Sequence, residues 1–461
     1  MNYITTSILL LTAALAPCSA YAANPVAIGY GSAKESKDIV FTVSNPSDMA
    51  RNEMVEIAEA PATPFLLMDA RGHEVPYQIT HDGKIIFRVS IPAKAGIDYK
   101  LVPGTPMPVD TICYGRIFPE RKDDLAWEND RGAFRAYGPA LQQSGEKAYG
   151  YDVWTKSVTE PVLEQRFYDD RVKRISFHID HGKGMDVYAV GPTLGGGTSA
   201  LLLPGDSIVM PYCWAEARVL DNGPLRFTAE LTYNPVRIGG KDVIEHRLIT
   251  LDAGDCLNKT TVWYDNLPAD ARPIAGIVVH DSNPQGYDFG NGFVTYTDYT
   301  QEPGANNGEI YLALCGDKTM KVRYIPFDAP RGDAVGHVIL SAPEGADRMT
   351  YYWGSGWSKG FVPDAAQWND IVRSRSDAIA LPPLAVTFKY RGLSTHKLTT
   401  WTSSFQLPTW TSSFQSPTEP AATGGVTSTS PTNDPPRRPQ MTLLIAHTIL
   451  AQALPESAPL L

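Results

Sequence analysis

Cysteine is scarce: five in 461 residues, at 18, 113, 213, 256 and 315, with no CxxC pair and no paired metal-ligand spacing. That leaves a structural zinc site unsupported. For the last four the spacing leaves disulfides and buried free thiols equally open, because a chain of this length can build a core without cross-links. No basic stripe is present either. The formal charge of -10 is mixed along the chain, which argues against nucleic acid as a partner. Also missing are a G-x-S-x-G nucleophile motif, a P-loop, a dinucleotide fingerprint and an Asp/Asn-rich calcium loop. Gly195-Gly196-Gly197 runs into Thr198 with no P-loop lysine and reads as a tight turn. Beyond the N-terminus no apolar run is long enough to span a bilayer comfortably; residues 441–454 come nearest and fall short. Long apolar helical stripes are few, and residues 365–374 are the best helix candidate.

The ends of the chain differ from its middle. Residues 4–17 are apolar, and Ala20-Tyr21-Ala22 fits a small-x-small cleavage site, so residues 1–22 are expected to be a signal peptide for export to a periplasm or beyond. Lipid anchoring at Cys18 is the lesser alternative, because Pro17 stands where a small residue is usual. Beyond about residue 391 the sequence TWTSSFQ occurs at 400–406 and again at 409–415, and a Pro/Ser/Thr-rich run follows. Such composition buries too little apolar surface to offset ordering the chain, so a disordered tail over 391–461 is expected.

Between the ends, short alternating segments are separated by turn residues. Strands are predicted over 39–43, 53–57, 64–68, 75–79, 85–91 and 99–102, a spacing that fits a small β-sandwich over 25–104. Further strands are predicted at 225–233, 246–251, 260–265, 274–280, 293–299, 309–314 and 337–341. An all-β chain is expected, with a larger two-sheet unit over 110–390.

Polar residues that can carry chemistry gather in a few stretches. Residues 177–197, FHIDHGKGMDVYAVGPTLGGG, hold His178, Asp180, His181, Lys183, Asp186 and Tyr188. Alternation predicts a strand over 174–180 with Ile175, Phe177 and Ile179 on its buried face, a turn at 181–184, and a second strand over 185–190. Side chains at the ends of such strands can converge on one rim, although the same residue types are ordinary in hairpin turns. A second stretch, 127–138, carries Glu128 and Asp130 as candidate acids or bases and Arg131 and Arg135 as candidate carboxylate clamps. An internal acid–arginine network bracing a loop is the alternative for this stretch. Trp154 and Lys156 in 149–156, Trp214 in 212–216, and Trp357 and Lys359 in 351–359 are candidates for stacking or contacting a sugar, against the simpler reading that aromatics favour strands.

The segments WENDRGAFRAYGPALQ, YGYDVWTK, HIDHGKGMDVYAVGPTLGGGTSAL and YYWGSGWSKGF resemble the domain-of-unknown-function family 4861 of secreted Bacteroidota proteins. The resemblance spans about residues 25–390 and stops before the duplicated, Pro-rich tail. It implies a galactose-mutarotase-like β-supersandwich behind a small β-domain, and a setting among enzymes that dismantle uronic-acid glycans. It carries no catalytic assignment. The function expected on this basis is a secreted enzyme acting on uronic-acid oligosaccharides by β-elimination or dehydration. His181 or His178 would be the base, Tyr188 the donor to the leaving oxygen, and Arg131 or Arg135 the neutraliser of the carboxylate. The alternatives are a glycoside hydrolase using Glu128 with Asp130 or Asp186, a mutarotase- or epimerase-type enzyme, and a non-catalytic glycan-binding protein. No cofactor or metal is expected, and the expected partner is an oligosaccharide or polysaccharide.

Overall fold

A computed structural model describes residues 38–58, 60–300 and 305–389. The proposed signal peptide, Cys18 and the tail from 391 onward lie outside the described residues. Antiparallel strands dominate, and most match the predicted ones to within a few residues.

The first strands make a small sandwich. One sheet orders Phe65–Asp69, Gly96–Pro103 and Ile39–Ser44 side by side, and the other orders Arg51–Ile57, Ile85–Ile91 and Gln78–Ile79. Inward positions alternate, and their side chains, including Phe41, Phe87, Leu67, Val89 and Tyr99, form a closed core. The sequence spacing did not reveal the fourth strand of the first sheet. Ala385–Lys389, at the far end of the described chain, lies antiparallel to Ile39–Ser44 with Phe388 opposite Phe41, ring centroids 5.6 Å apart. The chain thus closes its first sandwich with its last described strand.

The larger part contains a five-stranded and a nine-stranded antiparallel sheet, with a four-stranded sheet beside them. In Lys241–Asp252, Val243, Glu245, Arg247, Ile249 and Leu251 are buried while the residues between them are more exposed, as expected where one sheet face is covered. Arg247 is fully buried and survives there because it is saturated. It donates to Glu245 (2.6 Å), the hydroxyls of Tyr151 (3.0 Å) and Tyr233 (2.6 Å), and the Ser199 carbonyl (3.1 Å). The predicted helix runs longer than expected, over Ala365–Ile379. Asp364 caps it by accepting from Gln367 N (2.9 Å), and Trp368 and Val372 bury its inner face against Tyr311, Ala313 and Cys315. The small sandwich meets the larger sheets through polar side chains. Gln78 bonds the backbone of Leu225 and Arg226, and His81 pairs with Asp221 at 2.7 Å.

The strand–turn–strand prediction for 174–190 is corrected by the structure. Neither half is a strand. A helical turn over Leu163–Tyr168 continues as a wider turn over Asp169–Lys173, after which Arg174 takes a left-handed conformation (φ 60°). Of the three predicted inward residues only Phe177 is buried; Ile175 and Ile179 are exposed. Among the described residues no strand pairs with this segment. Phe177 instead plugs singly against Trp154 and Phe167. Residues 185–191 are held by separate backbone bonds rather than a ladder: Thr155 N to Met185 O (2.9 Å), Asp186 N to Phe177 O (2.9 Å) and Tyr149 N to Gly191 O (3.2 Å). The turn between them is set by the Asp180 carboxylate, which accepts from Gly182 N and Gly184 N at 2.8 Å each. Gly184 is required at its position. Its φ is +96°, and a Cβ would lie 2.2 Å from the Thr155 carbonyl oxygen.

Cys113, Cys213, Cys256 and Cys315 are free thiols. Burial pushes Cys256 up to about 11 and Cys315 up to about 12, which suits inert packing rather than nucleophilic chemistry.

Candidate functional site

The four-stranded sheet places the chemistry. In Ala133–Ala136, Phe134 faces the main core beside Trp127 and Trp353, so Arg135 faces the opposite side. There it stands directly across from Asp152 on the neighbouring strand and Ala126 on the other. An opposite-charge pair at this spacing is a favourable cross-strand contact. Asp186 reaches the same guanidinium from the irregular segment that covers this face, and Asp124 reaches it from the start of its own strand.

Arg135 Nη2 donates to Asp152 Oδ2 in a short contact, to Asp186 Oδ2 at 3.0 Å and to the Tyr137 hydroxyl at 3.3 Å. Its Nη1 lies 3.5 Å from Asp124 Oδ2. Trp154 Nε1 donates to Asp152 at 2.8 Å, and the Arg135 guanidinium lies 5.0 Å from the Trp154 ring. All three carboxylates are buried, and one arginine does not offset them. Burial and the neighbouring Asp186 raise Asp152 to about 7 despite Arg135, and burial raises Asp124 to about 6. Asp186 is raised as well, by burial, against the pull of Arg135 and Arg121. Two carboxylates bonded to one nitrogen are thus both raised, and they titrate as a pair.

His178 stands at the mouth of this group. Its side chain is 54 % exposed and that of Asp186 only 3 %. His178 Nδ1 donates to the Asp186 carbonyl at 2.8 Å and lies 3.7 Å from the Asp186 carboxylate. That bond puts the proton of the neutral ring on Nδ1 and leaves the Nε2 lone pair unengaged by the described residues. His181 is held differently, by Nε2 on the Ser176 carbonyl (3.0 Å), and makes no contact with the Arg135 group among the described residues.

Tyr188 is buried, with no hydrogen-bond partner for its hydroxyl. It sits between two polar groups. Its ring is 5.9 Å from that of His280, whose Nδ1 bonds Asp298 at 3.0 Å, and burial together with the charges of Asp298 and Asp152 keeps its hydroxyl protonated. Neither the His280–Asp298 pair nor Asp124, Asp152 and Tyr137 were singled out in the sequence. A signal for Asp152 existed in its place amid aromatic strand residues; Asp124 carried none.

The other candidates lie elsewhere or are already engaged. Both Glu128 oxygens are saturated: they accept from Val162 N, Leu163 N (2.9 Å) and Lys156 Nζ (2.7 Å), with both side chains fully buried. Glu128 thus braces the start of the Leu163–Tyr168 turn. Asp130 accepts from Gly254 N at 2.6 Å. Arg131 stacks on Phe361, 4.8 Å from its centroid, beside a cavity of about 10 Å³ also lined by Trp154, Lys156 and Trp357, with room for one water. The expected sugar-stacking wall is corrected: Trp154, Trp214 and Trp357 are all buried, with their N–H groups on Asp152, the Ala136 carbonyl and the Asn307 carbonyl. Strand residues between covered faces have no ring to offer to solvent. Lys359 bonds the Asn306 carbonyl. Among the described residues no cluster of three His, Cys, Asp or Glu is placed to hold a metal ion, and no helix is long and apolar enough to cross a membrane.

The sequence is 25% identical over 292 residues to uncharacterized protein P7 of Formosa agariphila, covering 61% of this chain and 72% of that one. Among solved structures it is similar to a glycosyl hydrolase family 38 protein from Enterococcus faecalis (8% identity, TM-score 0.43, 77% of this chain and 48% of that one). It is also similar to an α-mannosidase from Enterococcus faecalis V583 (9% identity, TM-score 0.44, 78% and 47%). The chain thus spans about half the length of each of these two structures. The family described as "Domain of unknown function (DUF4861)" matches residues 43–384, and the chain belongs to that family.

Proposed function

We propose that the protein is a carbohydrate-active enzyme, exported from the cytoplasm, that acts on uronic-acid-containing oligosaccharides by β-elimination or dehydration. The observation that carries this reading is His178 seated over the Arg135–Asp152–Asp186 group. The backbone bond at Nδ1 leaves Nε2 free to take a proton from a bound sugar. Beneath it, burial raises both carboxyls of the Asp152–Asp186 pair, which favours retention of the proton that a leaving oxygen needs. In elimination the base removes the proton α to the carboxylate, the electron pair forms the C=C bond, and the leaving C–O bond breaks as its oxygen is protonated. His178 and the Asp pair fit those two roles. His178 takes the base role ahead of His181 because only His178 touches this group. Glu128 favours no hydrolase reading, since both of its oxygens are committed to Lys156 and a helix start.

The test is product analysis. The protein is incubated with galacturonate-, glucuronate- and mixed uronate oligosaccharides, and products are followed by ultraviolet absorbance and mass spectrometry. A conjugated uronate double bond without uptake of water is expected. New reducing ends gained with one water per cleavage, or unchanged oligosaccharides throughout the panel, would refute the reaction.

A further inference from the structure

We infer that Arg121 is the seat for a negatively charged group of the ligand; the inference rests on the site described above and assigns the residue that selects an acidic sugar. Arg121 ends the short turn Pro119–Arg121. It is followed by Lys122 and Asp123, both in left-handed backbone conformations (φ 53° and 62°), a costly pair for side-chain-bearing residues. Nη1 of Arg121 is buried without a hydrogen-bond partner, and the guanidinium makes no ion pair among the described residues. A buried guanidinium N–H left unpaired costs free energy that a ligand or water must restore.

The other cations nearby are each held by at least one partner. Arg135 is divided among three carboxylates and Tyr137. Arg166 Nη2 donates to the carbonyls of Thr155 (3.0 Å) and Lys183 (2.9 Å). Lys156 is held by Glu128 and the Asn129 carbonyl, and Arg131 stacks on Phe361. Arg121 nonetheless adjoins the same group: it stands three residues before Asp124, whose carboxylate reaches Arg135, and its charge acts on both Asp124 and Asp186. Unmet hydrogen bonding concentrates here as well. Of ten buried side-chain atoms without a partner among the described residues, six belong to Arg121, Asp124, Arg135, Asp152, Arg166 and Tyr188. Native interiors leave few such atoms, so six around one group mark a place where something polar binds. A guanidinium edge with an unpaired Nη1 suits the planar, bidentate geometry of a carboxylate. A sulfate ester on a neutral sugar offers the same charge with different geometry.

The experiment is calorimetric titration of the full chain and its Arg121→Gln and Arg121→Lys variants. Three probes are used: a galacturonate trisaccharide, the same trisaccharide with its carboxyls reduced to alcohols, and a sulfated neutral trisaccharide. Wild type is expected to bind the carboxylated probe. Arg121→Gln should weaken that binding about tenfold to a hundredfold, as loss of a charge-assisted pair does, with little recovery in Arg121→Lys and no change for the reduced probe. Equal binding of the carboxylated probe by wild type and Arg121→Gln, equal loss for charged and reduced probes, or no binding of any probe by wild type overturns the inference. Arg121-dependent binding of the sulfated probe alone supports the anion seat and moves the substrate away from uronates. Arg121-dependent binding without any elimination product leaves the seat standing and sinks the proposed reaction; elimination indifferent to Arg121 sinks the seat alone.

Discussion

Replacing Asp152 by Asn should flatten the pH dependence of stability. In the folded chain Asp152 is fully buried and raised from the ordinary 3.8 to about 7, by burial first and then by Asp186, against the pull of Arg135. The unfolded chain releases this proton near 3.8 and the folded chain holds it to about 7, so the folded state binds more protons across the window between them. Stability is therefore greatest below the window, falls as pH rises through it, and changes no further from this group above it. The full displacement corresponds to about 4 kcal/mol. Because Asp152 titrates together with Asp186, about half of that is a reasonable share for one residue. Asparagine imitates the protonated acid: its carbonyl still accepts from Arg135 or Trp154, and its amide can donate to Asp186. Thermal midpoints of wild type and Asp152→Asn, measured at pH 5 and pH 8, read the effect of the pair, because the titrating groups outside it are common to both. At roughly 2 °C per kcal/mol for a unit of this size, and with about two of the roughly three pH units of the window lying between pH 5 and pH 8, wild type should lose about 2 to 3 °C more than the variant between the two pH values. Parallel losses in the two proteins would refute a proton held on this buried pair.

Three further outcomes are expected. His178→Ala should lower turnover of a uronate substrate by about 10²- to 10⁴-fold while the melting temperature stays close to wild type, since the ring is half exposed; a wild-type rate in the folded variant would remove it as the base. Glu128→Gln should cost about 3 to 5 kcal/mol by leaving Lys156 charged in the interior without a counter-charge, with the rate per folded molecule unchanged; abolished turnover in a well-folded variant would instead revive a hydrolase. Gly184→Ala should destabilise by more than about 1 kcal/mol, because the new methyl meets the Thr155 carbonyl at a left-handed position, and denaturant unfolding that matched wild type would contradict the described turn.

The β-strands and the helix were legible in the sequence because their determinants are local. In Arg226–Tyr233, Phe227, Ala229, Leu231 and Tyr233 alternate with Thr228, Glu230 and Thr232 and all four are buried, and the apolar spacing of residues 365–374 marks the helix. The segment 174–190 misled for the same reason. Ile175, Phe177 and Ile179 alternate as in a strand, yet alternation specifies a strand only where a neighbour pairs with it, and here the neighbour is missing. The gathering of polar stretches at 127–138, 149–156 and 177–188 was visible, though not their division of labour.

That division depended on tertiary placement. The sequence offered Arg135 and Arg131 as equivalent clamps, but register across two strands sets Arg135 opposite Asp152, while Arg131 falls beside Phe361. It offered Glu128 as an acid; in the fold its oxygens meet the first amides of a helical turn thirty-four positions away. Arg121, beside an ordinary proline turn, gave no signal at all. Whether an arginine is spent or open depends on which acceptors reach it from distant segments, and the carboxylates that surround Arg135 are separated from it by up to 51 positions. Periodicity fixes which way a side chain faces; only the packing of remote elements decides whether its charge is buried, paired or left open.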